Sequence, residues 1–316
     1  MPYKPVLPDS FSMVKNGGTT FFVREGYCGV IRDLQYEDLS FPDKRACKAN
    51  TKVGRARYLS IPLGDKSGDR LIIRSYRHGG LFGKLFGGIF FNTQRPLNEL
   101  SINEIALRKG VPSAEVIAVT KKNVWGCFYT ANFISKEVSG AIDLIQFFKE
   151  SSSDSIQKHK KSILYTLAKL VRKMHDAGIY HADLHLKNIL LKQNPNGEFH
   201  AYIIDLDKSV VFPNLSIGRR IKNLLRLDRS LEKLRWFSDE ASASKKNLIS
   251  KTDRIRFFKS YMLYNKTIDR DWKKSFRRYR SHHVSHKLWW RVLRLSRKRK
   301  PFACLKVFHL CHMFHL

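Results

Sequence analysis

Cysteine is scarce and irregularly placed in this chain of 316 residues. Its five cysteines, Cys28, Cys47, Cys127, Cys304 and Cys311, are odd in number and widely scattered. No C-x-x-C pair is present to hold zinc and no spacing suggests a disulfide framework, so a reducing compartment is expected. Long apolar runs are missing too: none reaches the roughly 18 residues needed to span a bilayer. The opening segment, Met1-Pro2-Tyr3-Lys4-Pro5-Val6-Leu7-Pro8, lacks the charged-then-apolar layout of a secretion signal. These absences lead to the expectation of a cytoplasmic protein, either soluble or lying on a membrane surface.

Acidic residues are also in short supply. Against 59 Lys and Arg there are 27 Asp and Glu, a formal net charge of +32. The imbalance is greatest over residues 217–316, with 28 Lys and Arg against 7 Asp and Glu. Such a field attracts polyanions: nucleic acid, an anionic membrane or a phosphorylated saccharide. Zinc-finger spacing, an RNP aromatic motif and heptads after a basic region are all lacking, which argues against nucleic acid. The length suits one two-lobed domain of roughly 200–250 residues plus an appendage.

The patterning is mostly β first and mostly α afterwards. Residues 1–50 read as an N-terminal extension with short strand-like pieces such as Thr19–Val23. Strands follow at Ala56–Ile61 and Leu71–Tyr76, joined by the turn-rich Gly64–Asp69 as a hairpin. A helix is expected from about Pro96 to Lys109, ended by Gly110, and then strands at Glu115–Thr120 and Gly126–Phe133. Ile163, Leu164, Leu167, Leu170, Val171 and Met174 recur at three and four within an amphipathic helix from Ile156 to Ala177, and Gly178 stands at its C-cap. Two short strands, Asn188–Leu191 and Ala201–Asp205, flank the turn Asn194–Gly197. Helices over Ile221–Leu234 and Ile255–Tyr264 precede a basic stretch containing Trp272, Trp289 and Trp290. With the acidic motifs of Asp183, Asn188 and Asp205, in His181-Ala182-Asp183-Leu184…Asn188 and Ile203-Ile204-Asp205, on a loop and hairpin just past the middle, this layout resembles that of the two-lobed kinases. The expected fold is therefore α+β: an N-lobe over 51–135, a C-lobe over 136–265 and a basic tail over 266–316.

The chemistry concentrates between Tyr180 and Asp205. The segment His181-Ala182-Asp183-Leu184-His185-Leu186-Lys187-Asn188 matches the kinase catalytic loop, H-x-D-L-x-x-x-N, position for position. In that pattern Asp183 orients the acceptor hydroxyl and takes its proton. Asn188 and Asp205, the latter after the apolar Ile203-Ile204, hold Mg²⁺ against the phosphates of ATP. An ionised carboxylate beside a buried strand needs a compensating cation, and Mg²⁺ is the natural one. Asp207 is a further candidate metal ligand or a turn former. His181 and His185 stand at i, i+4 without the acid of H-E-x-x-H. His181 is expected to brace the loop, and His185, where protein Ser/Thr kinases place Lys, favours a non-protein acceptor.

Before the motif, Gly54 and Arg55 in Val53-Gly54-Arg55-Ala56-Arg57 are the candidate phosphate-covering loop. Arg74 closes the next strand where kinases keep a phosphate-gripping Lys, and it can supply that charge with different geometry. Glu99 is placed to pair with Arg74, with Glu104 as the alternative. The Gly/Phe-rich stretch Gly79–Phe91 either touches lipid or packs as a loop. The basic Arg297–Lys300 near Trp289, Trp290 and Phe302 either lies against anionic headgroups or stays solvated.

Together, several segments resemble the Kdo/WaaP lipopolysaccharide kinase family, most of all its 3-deoxy-D-manno-octulosonic acid (Kdo) kinases. They are Leu71–Leu81, Glu99 ahead of Arg108-Lys109-Gly110-Val111-Pro112, His181–Leu191, Ile203–Asp207 and Asn223–Leu234, covering roughly residues 50–240. The catalytic loop marks only the kinase superfamily; Tyr76-Arg77-His78-Gly79-Gly80-Leu81 and the Leu-rich segment after Asp205 narrow it. The resemblance implies ATP-dependent phosphorylation of a Kdo hydroxyl on a lipid A precursor, an anionic glycolipid, by a peripheral enzyme at the cytoplasmic face of the inner membrane. The rivals are a heptose kinase of the same family, a protein Ser/Thr kinase, and a non-catalytic pseudokinase or basic scaffold that uses only the fold.

Overall fold

The computed structural model describes residues 6–33, 58–63, 68–76, 88–91, 94–237 and 249–264, with isolated positions at 277, 279 and 281. The chain divides into two units, Met1–Thr267 and Ile268–Leu316. Gly54, Arg55, most of the Gly/Phe-rich stretch and nearly all of the tail over 266–316 lie outside the described residues.

A six-stranded antiparallel sheet dominates the first half. Its strands are β1 (Phe11–Asn16), β2 (Thr19–Arg24), β3 (Tyr58–Pro62), β4 (Arg70–Ser75), β5 (Val116–Trp125) and β6 (Phe128–Lys136), in the spatial order β1-β2-β5-β6-β4-β3. The sheet thus begins earlier in the chain than residue 51. Gly17 and Gly18, at φ +50° and +76°, form a two-residue turn that fits the twist of the β1–β2 hairpin. The side chains of β2 alternate between two cores. Phe21 and Val23 join Leu71, Ile73, Ile117 and Ile134 on one face, where the short helix α1 (Cys28–Asp33) adds Ile31. Phe22 joins Phe11, Tyr76, Phe90, Val119 and Tyr129 on the other.

The second face carries helix α2 (Arg95–Arg108), which Pro96 starts and Gly110 follows at φ +69°. This helix buries an unusual set of polar side chains, Glu99, Ser101, Asn103 and Glu104, because its neighbours offer them partners. After β6 the chain passes through β7 (Ile142–Asp143) into helix α3 (Leu144–Glu150), whose first N–H groups bond to the Asp143 carboxylate. Helix α4 (Ser153–Asp176) is capped by Ser152 and turns Ile163, Leu167, Leu170, Val171 and Met174 inward. Gly178, at φ +82°, ends the turn after it; a Cβ there would lie 2.0 Å from the Phe212 carbonyl oxygen. Glycine is required by both the backbone angle and the space.

The antiparallel hairpin of β9 (Ile189–Gln193) and β10 (Phe199–Ile203) follows, with β7 beside β9. A smaller pair joins β8 (Ile179–Tyr180) to β11 (Val210–Val211). Helices α5 (Ile217–Phe237) and α6 (Lys251–Leu263) complete the half, α6 beginning with a capping box between Ser250 and Asp253. The halves are tied through Pro112-Ser113. The Ile203 N–H donates to the Pro112 carbonyl at 2.9 Å, and Ser113 Oγ donates to the Ile203 carbonyl at 2.8 Å while accepting from Asn103 Nδ2. This junction holds the end of β10, and with it Asp205, under helix α2.

Candidate active site

Asp183 lies in the loop between β8 and β9, ahead of the 3₁₀ turn Leu186–Asn188. Its side chain is 73% exposed, yet its backbone is fixed on both sides. The Asp183 N–H donates to His181 Nδ1 at 3.1 Å, and the Asp183 carbonyl accepts from Asn188 Nδ2 at 3.0 Å. With Nδ1 accepting, His181 Nε2 is the protonated nitrogen and donates to the Ile204 carbonyl at 3.2 Å. One buried imidazole thereby joins the Asp183 loop to the segment that carries Asp205. The Ile204 N–H donates in turn to the Asn188 carbonyl at 3.0 Å.

Asp205 sits past the end of β10 rather than on it, with φ +60°. Asp is among the few residues that tolerate this left-handed region. Its half-exposed carboxylate meets Arg74 Nη1 at 3.3 Å. Arg74 Nη2 holds the buried Glu99 at 2.5 Å, so one guanidinium bridges helix α2 and the Asp205 loop. The Arg74 guanidinium also stacks against Tyr76 and Phe133, 5.2 and 5.3 Å from their centroids. Burial opposes its charge, but Glu99 and then Asp205 outweigh burial and hold the guanidinium above its ordinary range. Burial lifts Glu99 to about 7 despite the pull of Arg74. The Tyr76 hydroxyl donates to the second Glu99 oxygen, and burial followed by Glu99 raises the phenol well above its usual value.

The structure brings Arg74, Glu99 and Asp205 together, and Asp183 with Asn188. It sets two sequence candidates aside. Glu104 belongs to Arg24, at 2.6 Å, and to Ser10, and so is not the partner of Arg74. Asp207 does not share a strand face with Asp205, because β10 ends at Ile203. Arg95 grips Asp207 through both oxygens, with Nε to Oδ1 at 2.8 Å, so it anchors the loop to the start of helix α2. His181 and His185 do not pair on a metal, since both nitrogens of His181 are spent in the loop. Among the described residues no cluster of three or more His, Cys, Asp and Glu is arranged to hold a metal. His185 Nε2 lies 3.3 Å from Asp183 Oδ2, while its buried Nδ1 has no partner.

Sequence reasoning passed over four supporting residues. Tyr76 and Arg95 complete the Arg74–Glu99 and Asp207 contacts. Ser230 Oγ accepts from the Leu186 N–H at 3.1 Å. Asn223 accepts from the His181 N–H at 3.1 Å, donates to the His181 carbonyl at 2.9 Å and meets His175 Nε2 at 3.2 Å. The one signal in the sequence for Asn223 was a polar residue among the apolar positions of α5, between Ile221 and Leu224, and the structure buries it fully.

Buried histidines give the fold a defined acid sensitivity. Burial lowers His175 to about 3 and His181 to about 4, from an ordinary 6.5. As pH falls below 6.5 the unfolded chain takes up protons that the folded chain refuses, and stability drops until the folded values are passed. Glu99 acts in the opposite sense: its folded value of about 7 exceeds 4.5, so over that window protonation favours the folded chain. Two imidazoles outweigh one carboxylate. Unfolding free energy measured in urea is expected to fall between about pH 7 and about pH 5, and more steeply in Glu99→Gln. A wild-type profile that is flat or rises on acidification would refute this.

A six-stranded lobe over a helical lobe, with an H-x-D-L-x-x-x-N loop and a following Asp between them, is the architecture of the two-lobed kinase class. Residues 64–261 match the sequence profile of the lipopolysaccharide kinase (Kdo/WaaP) family. The chain belongs to this family. It is 34% identical over 168 residues to a 3-deoxy-D-manno-octulosonic acid kinase of Vibrio cholerae, a match covering 51% of this chain and 65% of that one. It is 30% identical over 204 residues to the enzyme of the same name from Haemophilus influenzae, covering 63% and 81% respectively. Among solved structures, WaaP in complex with acyl carrier protein superimposes with a TM-score of 0.53 at 17% identity, covering 84% of this chain and 98% of that one, a likeness of fold.

Proposed function

We propose that this chain is an ATP-dependent kinase that phosphorylates a Kdo hydroxyl of a lipid A precursor in lipopolysaccharide core assembly. The observation that carries this reading is the convergence of Asp183, Asn188 and Asp205 on one hydrogen-bonded loop pair, with Arg74 reaching Asp205 from the opposite lobe. The Vibrio and Haemophilus relatives, both named Kdo kinases, support the substrate. On this reading the N-lobe comprises 51–135 together with the strands of residues 11–24, the C-lobe 136–265, and residues 266–316 a separate basic element.

The exposed Asp183 carboxylate orients the acceptor hydroxyl and accepts its proton as the oxygen attacks the γ-phosphorus. The bond from that phosphorus to the β–γ bridging oxygen breaks and ADP leaves. Arg74, held by Glu99, binds the phosphates, and Gly54 and Arg55 cover them. Asn188 and Asp205 fit Mg²⁺: both offer hard oxygen donors, and the Asn188 amide nitrogen is already committed to the Asp183 carbonyl, leaving its oxygen for a cation. When bound, Mg²⁺ neutralises charge on the phosphates. Excess positive charge draws the anionic glycolipid, and the enzyme works as a peripheral protein at the cytoplasmic face of the inner membrane. Among the described residues no helix is long and apolar enough to cross a membrane.

Transfer of labelled γ-phosphate from Mg-ATP to purified Kdo–lipid A precursor tests the proposal, with a heptosylated core and a generic protein as parallel acceptors. Label on the Kdo acceptor alone is expected. Label on heptose or protein would move the substrate and keep the kinase. No transfer, together with salt-dependent nucleic-acid binding, would leave only a basic scaffold.

A further inference from the structure

The tip of the β5–β6 hairpin carries an aromatic cluster that the phosphoryl-transfer site does not use. Trp125 and Phe128 pair across Gly126-Cys127, their rings 6.1 Å apart and 2° from parallel. Phe91 packs edge-on against Phe128 at 5.9 Å. The cluster faces outward: Trp125 is 76% exposed, Phe91 68% and the neighbouring Val124 53%. Single exposed apolar residues are ordinary, but a Trp, two Phe and a Val gathered at one tip form a patch.

The strands that form the patch carry charge of one sign in their sequence. No Asp or Glu occurs between Val116 and Ser135 or between Phe11 and Arg24, and the stretch 70–98 has none against five Lys and Arg. The ladder register sets lysines beside the tip. Lys122 lies opposite Thr19 and Lys121 opposite Thr20, which on its other side faces Lys15. The Lys121 ammonium sits 5.4 Å from the centroid of Tyr129. Indole and phenyl rings flanked by cations, on strands whose own sequence carries no acid, complement the boundary between headgroups and acyl chains in an anionic bilayer. There the rings leave water and the ammonium groups meet lipid phosphates.

We propose that the β5–β6 hairpin tip, together with Phe91, is a wedge that docks this lobe on a bilayer containing anionic lipid. The inference deepens the membrane-surface reading above and rests on it. Docking here reaches the cleft by a short path. Arg95, a few residues beyond Phe91, stacks 4.8 Å from the Phe90 centroid and holds Asp207, two residues from Asp205.

The test is co-sedimentation of the full chain with vesicles of phosphatidylglycerol and phosphatidylcholine, and of phosphatidylcholine alone. Wild type is expected to bind the anionic vesicles, and Trp125→Ser/Phe128→Ser to bind roughly tenfold less or weaker still with an unchanged melting temperature. Brominated acyl chains are expected to quench wild-type tryptophan fluorescence and to quench Trp125→Phe less. That variant keeps an apolar ring and stays informative if the double variant misfolds. Equal vesicle binding by wild type and double variant, or equal quenching in Trp125→Phe, would overturn the wedge and leave membrane association standing. Failure of wild type to bind any vesicle would remove both. Retention on a small acidic acyl carrier protein that the double variant loses, without vesicle binding, would assign the patch to a protein partner and overturn the proposal.

Discussion

Asp183→Asn is expected to lower phosphoryl transfer by about 10²–10⁴-fold, the usual worth of a positioned general base, while leaving stability within about 0.5 kcal/mol of wild type, as for an exposed site. The two halves of this expectation come from different atoms. The carboxylate is 73% exposed and, among the described residues, its one polar contact is with His185 Nε2 at 3.3 Å, a half-exposed pair, so its loss removes mainly chemistry. The loop is held by the Asp183 backbone, whose N–H and carbonyl keep their bonds to His181 and Asn188 in the variant. Single-turnover transfer beside thermal unfolding separates the two. Near wild-type transfer would take Asp183 out of the proposed role. Equal losses of activity and melting temperature would show that the side chain supports the loop after all.

The second large effect is expected at a residue of helix α5 that is not among those proposed to touch substrate. Asn223→Ala leaves the His181 N–H, the His181 carbonyl and His175 Nε2 without their shared partner. Orphaned buried polar groups cost about 1–3 kcal/mol each, and local relaxation keeps the sum below simple addition, so a loss of about 2–4 kcal/mol is expected. Transfer should fall as well, because the brace between α5 and the catalytic loop fixes where Asp183 stands, and small misplacements of a reacting group are costly. Urea unfolding together with kcat and KM would check this. A reduced kcat with unchanged nucleotide KM fits a positioning role. Asn223→Asp, which keeps an acceptor for the His181 N–H but loses the amide donor, should fall between Ala and wild type. Stability unaltered in Asn223→Ala would contradict the bonding described for the loop.

These effects trace to a division of labour in the site. The residues proposed to touch substrate stand on loops, while their orientation comes from buried polar contacts on helices α2 and α5. Arg74 makes the division visible. Its charge is offered at the cleft, but Glu99 on α2, Tyr76 on the segment after β4 and two aromatic faces decide where it points.

Much of this was legible in the sequence because local physics carried it. The three-and-four spacing of Ile163, Leu164, Leu167, Leu170, Val171 and Met174 specifies α4, and Gly178 ends it where only glycine fits. The His181–Asn188 spacing, with Asp205 behind Ile203-Ile204, is a near-local pattern, and a strand followed by a helix points to a Glu of α2 as the partner of Arg74. Tertiary contacts decided the rest. Periodicity near residue 20 shows a strand but not its neighbour; only pairing with β5 places residues 11–24 in the main sheet. Glu99 and Glu104 are equivalent by composition, and the presence of Arg24 beside one and Arg74 beside the other separates them. Asp207 looks like a second metal ligand until Arg95 is seen to hold it. Asn223 holds the His181–Asn188 loop across 42 residues of chain, a relation set by long-range packing that no local propensity encodes.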